Sequence, residues 1–192
     1  MKTYRSTIVT DEPLLKIQYD NDVESPREWT NLGYFITCDN KYNSPDTNDE
    51  LQNIVKYTGE QAISQAEHMA MIKKDYKTEK IIAIYPIVKY EHSGVSYSLG
   101  EKHGFDYSNN GFYIITDKTL KNMPEKKKEW ERIIKNELET YNQWMNGEVY
   151  RFNLYDKNGE LIDGCCGFYD IESIREKLPK EWKKEDLNEY II

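Results

Sequence analysis

The sequence has few cysteines and no long apolar run. Its three cysteines are Cys38, Cys165 and Cys166, and an odd count with an adjacent pair makes a poor disulfide framework. No apolar stretch approaches the roughly 20 residues that cross a bilayer, and residues 1–10 lack the apolar core of a signal peptide. We therefore expect free thiols, a cytoplasmic location and no membrane partner.

The sequence also lacks the short motifs that mark common chemistries. It contains neither a G-x-x-x-x-G-K-[ST] nor a G-x-G-x-x-G phosphate loop, and no G-x-S-x-G nucleophile elbow. The paired zinc ligands of H-E-x-x-H and C-x-x-C motifs are absent too. These absences count against nucleotide-driven reactions and serine hydrolysis, and we expect no cofactor and no metal.

Positive charge is scarce relative to negative charge. The chain has 26 Lys and Arg against 34 Asp and Glu, a formal charge of -8, and the first 70 residues carry most of the acidic excess. Nucleic-acid-binding proteins usually present a basic surface, so direct nucleic-acid binding is disfavoured. An acidic surface favours a basic partner, or it serves solubility alone.

Large apolar side chains are nevertheless plentiful. The 192 residues include 16 Tyr, 5 Phe and 4 Trp, enough to build a core in a chain of this length. Short β-prone runs alternate with helical patterns and no linker interrupts them. The sequence therefore predicts one α+β domain over residues 1–192, mainly an antiparallel sheet with two or three packed helices.

Strands are predicted where short apolar or β-branched runs lie between turn residues. These runs are Thr3–Thr10, Leu14–Tyr19, Tyr34–Cys38, Ile81–Tyr90, Val95–Leu99, Phe112–Thr116, Glu148–Asp156 and Glu160–Tyr169. The first two predict a hairpin. Pro86 predicts an edge position or a bulge in its strand, and Asn158-Gly159 predicts a type I′ turn.

Helices are predicted in three regions. Two segments between residues 46 and about 77 follow Asp46 or Thr47 as an N-cap. A longer helix begins near Pro124 and reaches roughly Asn146. A short helix follows Asp170 and ends before Pro179.

Four segments, taken in order, resemble an uncharacterised protein family of phages and mobile elements of Gram-positive bacteria. They are Ser25–Gly33 (SPREWTNLG), Tyr90–Val95 (YEHSGV), Glu139–Trp144 (ETYNQW) and Asp163–Tyr169 (DGCCGFY). Family members usually have Asp where Thr30 and Glu91 stand, and a Pro-Trp-Asp type segment in place of residues 102–106. The resemblance implies a phage-type accessory protein and names no activity.

The first of these segments is the candidate partner-binding site. Arg27, Glu28, Trp29 and Asn31 place donors, an acceptor and an indole within five positions, a composition suited to gripping a partner backbone or an acidic group. The alternative is a structured loop in which Trp29 anchors the core and Arg27 pairs with a nearby carboxylate.

His92-Ser93-Gly94 is the most catalytic-looking element of the sequence. A histidine titrates near neutral pH and can act as a base, and Asp106, Asp163 or Arg27 could support it. A metal site would need His92, His103 and Asp106 to converge, with Cys38 or Asp39 as a further ligand, and the spacing gives little support for that. A tight turn at a strand end explains His92-Ser93-Gly94 equally well.

Three functions are compatible with these features. The preferred one is binding of a host or phage protein, possibly a nucleic-acid-targeting enzyme, as an anti-defence inhibitor of the anti-restriction or anti-CRISPR type. The alternative is a small enzyme that acts on a nucleotide or nucleic acid through His92. A third is single-strand binding on sheet aromatics, namely Tyr85, Tyr90, Tyr97, Phe112 and Tyr113.

Overall fold

The computed structural model describes residues 14–39 and 41–192. Within them, seven strands form two antiparallel sheets and five α-helices accompany the sheets, which confirms the predicted α+β class. The described chain divides into two compact units. One consists of residues 25–142, and the other combines residues 143–192 with residues 14–24.

The predicted helices and strands of the described residues occur in the predicted order, although several bounds differ and the short helix Asp117–Asn122 was not predicted. In chain order the elements are β1 (Leu14–Tyr19), β2 (Tyr34–Thr37), α1 (Asp49–Gly59), α2 (Gln65–Asp75), β3 (Ile81–Glu91), β4 (Val95–Leu99), β5 (Tyr107–Thr116), α3 (Asp117–Asn122), α4 (Trp130–Met145), β6 (Tyr150–Tyr155), β7 (Leu161–Phe168) and α5 (Ile171–Lys177). The predicted strand Thr3–Thr10, and with it the first hairpin, lies outside the described residues.

The unit of residues 25–142 has a four-stranded sheet in the order β2-β5-β3-β4. One face of this sheet packs against α1 and α2, because apolar side chains recur on alternate strand positions and at helical spacing. The buried residues of this layer are Ile36, Leu51, Val55, Ile72, Tyr76, Ile81, Phe112 and Ile114. Each such side chain contributes about 1.5–3 kcal/mol by leaving water.

Pro86 does not lie on an edge strand, contrary to one of the two predicted possibilities. β3 pairs with β5 on one side and with β4 on the other. The ladder with β4 ends at Ile87 and Leu99, and the carbonyl of Pro86 then accepts the N–H of Gly100 at 2.8 Å. Since β4 ends there, the missing N–H of Pro86 removes no ladder hydrogen bond from the β4 pairing.

Two predicted helix starts are wrong. Asn48, and neither Asp46 nor Thr47, caps α1, because its side chain accepts the N–H of Leu51 at 3.1 Å. The long helix α4 begins at Trp130 instead of Pro124. A 3-10 turn, Lys127–Glu129, precedes it, so the proline starts an irregular approach to the helix.

The second unit contains the sheet β1-β6-β7. Its core combines the inward side chains of the strands with those of α5 and the chain end, namely Leu15, Ile17, Phe152, Leu154, Phe168, Ile174, Leu178 and Leu187. Asp170 caps α5 as predicted, by accepting the N–H of Ser173. At the outer side of β1, Ile17 forms a bridge with Ile191.

The β6–β7 hairpin is present, but its turn is not type I′. A type I′ turn needs positive φ at both central residues. Gly159 has φ 77°, whereas Asn158 does not have positive φ. The bonds from Gly159 N to Asp156 O and from Asp156 N to Glu160 O define a three-residue loop, the common type I turn followed by a left-handed glycine.

Candidate functional site

The predicted partner-binding segment is organised around the side chain of Arg27. A 3-10 turn, Pro26–Glu28, follows Ser25, whose hydroxyl accepts the N–H of Arg27. Proline suits this first turn, because its fixed φ matches the turn and it has no N–H to satisfy. The turn directs the Arg27 side chain inward, where it is 2% exposed.

All five N–H groups of the Arg27 guanidinium meet acceptors of the same chain. Nε and Nη2 donate to the two oxygens of Asp46 at 2.8 and 2.6 Å, Nη1 donates to Asn31 Oδ1 at 3.1 Å and Glu137 Oε2 at 2.9 Å, and Nη2 also donates to Gly33 O at 2.8 Å. The fork-shaped contact with Asp46 is the strong, bidentate kind. Arg27 therefore has no hydrogen left for a partner.

The acceptors of Arg27 also bind the backbone of residues 32–35. Glu137 on α4 accepts the N–H of Leu32 at 2.9 Å, and Asp46 accepts the N–H of Phe35. The hydroxyl of Tyr113 accepts the N–H of Gly33 at 2.8 Å and donates to Glu137. We call Arg27, Asp46, Tyr113 and Glu137 the Arg27 network. Its side chains accept the N–H groups of Leu32, Gly33 and Phe35.

Gly33 is required for this close approach. A Cβ at this position would lie 2.5 Å from the carbonyl oxygen of Ile114 and 2.7 Å from the Tyr113 ring, and real Cβ atoms do not approach backbone that closely. The glycine lets the loop sit against β5.

Burial and neighbouring negative charge shift the pKa of Arg27 in opposite directions. Burial alone would lower the pKa of its guanidinium, but the hydrogen bonds and negative charge of Asp46 more than offset this and hold the pKa above its ordinary value. Burial, followed by the charge of Glu137, raises the pKa of Tyr113 well above its ordinary value. The network therefore stays charged at Arg27 and neutral at Tyr113.

The exposed members of the segment border a cleft. Glu28 is exposed and Trp29 is 49% exposed, so Trp29 does not anchor the core as the alternative interpretation supposed. Asn31 instead fixes the turn, since its side-chain amide donates to Trp29 O at 2.8 Å and to Pro26 O at 3.1 Å. The cleft has a volume of about 310 Å³ and is lined by this segment, by residues 45–47 and by α3.

His92 and Asp106 come together, whereas Asp163 lies in the other unit. Nδ1 of His92 is 3.8 Å from Oδ2 of Asp106, and the two side chains are 69% and 36% exposed. Asp163 is exposed on β7 and accepts the N–H of Gly164. Among residues 14–39 and 41–192, no three His, Cys, Asp or Glu side chains are placed to hold a metal ion.

The sheet aromatics do not form a stacking platform as a set. Tyr97, Phe112 and Tyr113 are buried, and only Tyr85 and Tyr90 of the five are partly accessible. Tyrosines in these strands mainly fill the core, in agreement with their β propensity.

The segment Glu139–Trp144 bonds backbone instead of forming a surface. Asn142 exchanges two hydrogen bonds with the backbone of Tyr97, at 2.8 and 2.9 Å. Gln143 donates to Tyr169 O and Trp144 donates to Val23 O, each at 2.9 Å. This motif therefore supports the fold at the end of α4.

Sequence reasoning missed three members of the Arg27 network. Asp46 was interpreted as a helix cap, Tyr113 as a sheet aromatic, and Glu137 was assigned no role. They lie 19, 86 and 110 positions from Arg27, so no local pattern connects them. A carboxylate at Glu137 on the helix side that carries Ile133, Ile134, Leu138 and Tyr141 was the one available signal.

Comparison of the chain with protein-family models, with curated proteins and with solved structures found no match. Among the helices of the described residues, none is long and apolar enough to cross a bilayer.

Proposed function

We propose that this protein acts by binding another protein through the surface formed by Glu28, Trp29 and the adjoining cleft. One observation carries the proposal: the Arg27 network anchors the side chain of Arg27, two positions before an exposed tryptophan, and bonds the backbone of Leu32 and Gly33 after it. Tryptophan is enriched among the residues that dominate binding energy at interfaces. A loop that is already ordered loses less entropy when it binds.

The composition of the network supports this interpretation over a purely stabilising role. Taking charged groups out of water costs several kcal/mol per ion, and apolar residues of similar volume often stabilise a core equally well. Stability alone is therefore a weak reason to bury Arg27 with two carboxylates. Fixing one loop geometry is a reason that apolar residues cannot supply, since they lack directed hydrogen bonds.

The biological form that we propose is a phage-type accessory protein that inhibits a host defence enzyme of the restriction or CRISPR type. The resemblance of four sequence segments supports the phage-type origin. The formal charge of -8 supports a basic partner, such as an enzyme that handles nucleic acid.

Site-specific crosslinking tests this proposal. A photo-reactive azido-tryptophan at position 29, which keeps the indole ring of Trp29, should capture a defined protein in host cytoplasm, and Glu28→Ala should reduce the yield. The same crosslinker at Tyr57, which is also exposed in this unit, is the matched control. Equal capture from both positions, or none from position 29, would contradict the proposal.

An enzyme that uses His92 is the second candidate, because the structure brings His92 next to Asp106. A carboxylate beside a histidine can orient the ring. A screen of nucleotides and oligonucleotides with the wild type and His92→Asn tests it. Turnover that the variant lacks would favour the enzyme, and turnover that it retains would exclude His92 as the base.

A further inference from the structure

The cleft beside Trp29 has an imbalance of charge. The Arg27 network places two carboxylates around one guanidinium, which leaves one formal negative charge; of the two, Asp46 lines the cleft and Glu137 does not. Glu28, whose side chain lines the cleft, adds another. Of the described residues that line the cleft, Arg27 is the only cationic one, and its five N–H groups are all bonded within the chain.

The other polar side chains of the cleft can accept hydrogen bonds. They belong to Thr30, Asn31, Tyr34, Thr47, Thr119 and Asn122. Hydroxyl and amide oxygens next to excess negative charge favour a ligand that carries donors and positive charge. A phosphate or carboxylate would meet repulsion here and no available cationic donor.

The aromatic side of the cleft has the same preference. The face of an indole attracts cations more strongly than that of any other side chain, and a planar guanidinium also stacks on it. Trp29 is half-exposed at the cleft. A volume of about 310 Å³ lies at the lower limit of ligand pockets, which suits a single side chain.

We infer that the cleft binds the guanidinium of an arginine side chain presented by a basic partner. This inference rests on the proposed binding function, because it specifies the partner's chemistry at the same surface. The guanidinium stacks on Trp29, and its N–H groups donate to Glu28 and to the oxygens of the cleft.

Titration with small probes tests the inference without the partner. Nα-acetyl-arginine amide should shift the indole N–H resonance of Trp29, assigned with Trp29→Phe, with saturation on the order of 10 mM. Nα-acetyl-citrulline amide, which is neutral and of similar shape, should not shift it at equal ionic strength. No saturable shift with arginine up to about 100 mM, or an equal shift with citrulline, would overturn the inference.

Two variants test whether the carboxylate of Glu28 contributes to arginine binding. Glu28→Gln should weaken arginine binding by about 2- to 5-fold, the range of an exposed ion pair. Glu60→Gln removes an exposed carboxylate of the same unit that does not line the cleft, and it should leave binding unchanged. Equal weakening by both variants would show that the net charge of the protein, and not Glu28 itself, determines arginine binding, and would contradict the inference.

Competition separates this inference from the proposed function. Arginine amide in excess should block the crosslink formed from position 29, and citrulline amide should not. A specific crosslink that persists in excess arginine amide would overturn the inference and leave the binding function standing. Arginine binding at Trp29 without any crosslinked partner would support the inference about the cleft and contradict the proposed binding function.

Discussion

The two units differ in what they bury. In the unit of residues 25–142, Arg27 and Lys89 are buried and each contacts two carboxylates. In the described part of the other unit, Asp20 is the one buried charged side chain, and its carboxylate accepts the N–H of Gly167. The core there is otherwise built from aliphatic and aromatic groups.

This difference shows two ways in which a small unit fixes its structure. Apolar packing tolerates volume-conserving exchange, because dispersion contacts have little direction. A buried guanidinium does not tolerate such an exchange of its neighbours, because every N–H that loses its acceptor becomes a buried unpaired group, which destabilises the fold. We call residues 25–142 the ion-rich unit and the other unit the apolar unit. The ion-rich unit therefore specifies one loop geometry, and the apolar unit supplies a stable sheet.

The largest expected effect is that of Arg27→Ala. It leaves Asp46 and Glu137, whose side chains are only 12% and 14% exposed, without their cation, so the free energy of unfolding should fall by about 3–5 kcal/mol. Urea unfolding measures this loss. The triple variant Arg27→Met, Asp46→Leu, Glu137→Leu should recover much of the stability and still fail to crosslink from position 29. If the triple variant binds normally, the network does not position the loop for binding.

Phe152→Ala is the matched change in the apolar unit. It opens a cavity in the β1-β6-β7 core, where Phe152 is 1% exposed and its ring lies 5.9 Å from that of Phe168. The loss should be about 3–4 kcal/mol, whereas Phe152→Leu should cost about 1 kcal/mol. Crosslinking from position 29 by the folded Leu variant should be unchanged. Loss of that crosslink would show that the two units are not separable in function.

High pH should weaken the ion-rich unit next. Burial and the neighbouring Glu79 raise the pKa of Tyr34 from 10.0 to about 12, and burial raises that of Tyr141 to about 12. Stability from a raised pKa is present below the unfolded value of 10 and is lost as pH rises from 10 through 12. The free energy of unfolding should fall by the order of 2 kcal/mol over this range. Tyr141→Phe should flatten the decline, and an unchanged decline would contradict the assignment.

The smallest expected difference between the two units is in the reactivity of their thiols. Burial raises the pKa of Cys38 in the ion-rich unit to about 11, which lowers its reactive thiolate at pH 8 by about 100-fold. Cys165 and Cys166 of the other unit are exposed. Two thiols should therefore react rapidly with an aromatic disulfide reagent and one slowly. Cys38→Ser should remove the slow phase, and three equal rates would contradict this difference in burial.

The sequence predicted elements whose determinants are local. The strands Leu14–Tyr19 and Val95–Leu99 have the predicted bounds, and Asp170 caps its helix, because alternation and capping are read within a few residues. The turn at Asn158-Gly159 was typed wrongly, since the same dipeptide also serves a three-residue loop. The prediction of one domain over residues 1–192 stays a prediction, which a single cooperative unfolding transition would support.

The candidate site was predictable in part. The segment around Arg27 was identified, and so was the alternative that Arg27 pairs with a carboxylate. The identity of the carboxylates was not, because Asp46 and Glu137 meet Arg27 only after the sheet and α4 have packed. The sequence left Trp29 open between a partner-binding surface and the core, since an indole in a motif is compatible with both, and the structure shows it 49% exposed.

The most direct test of the central claim, that the Arg27 network fixes the loop, is native-state hydrogen exchange at the N–H groups of Leu32, Gly33 and Phe35. These three amides donate to Glu137, Tyr113 and Asp46. They should exchange as slowly as amides of the central strand β5, and Tyr113→Phe should release Gly33 first. Exchange of all three at the rate of an unstructured surface loop would contradict the account.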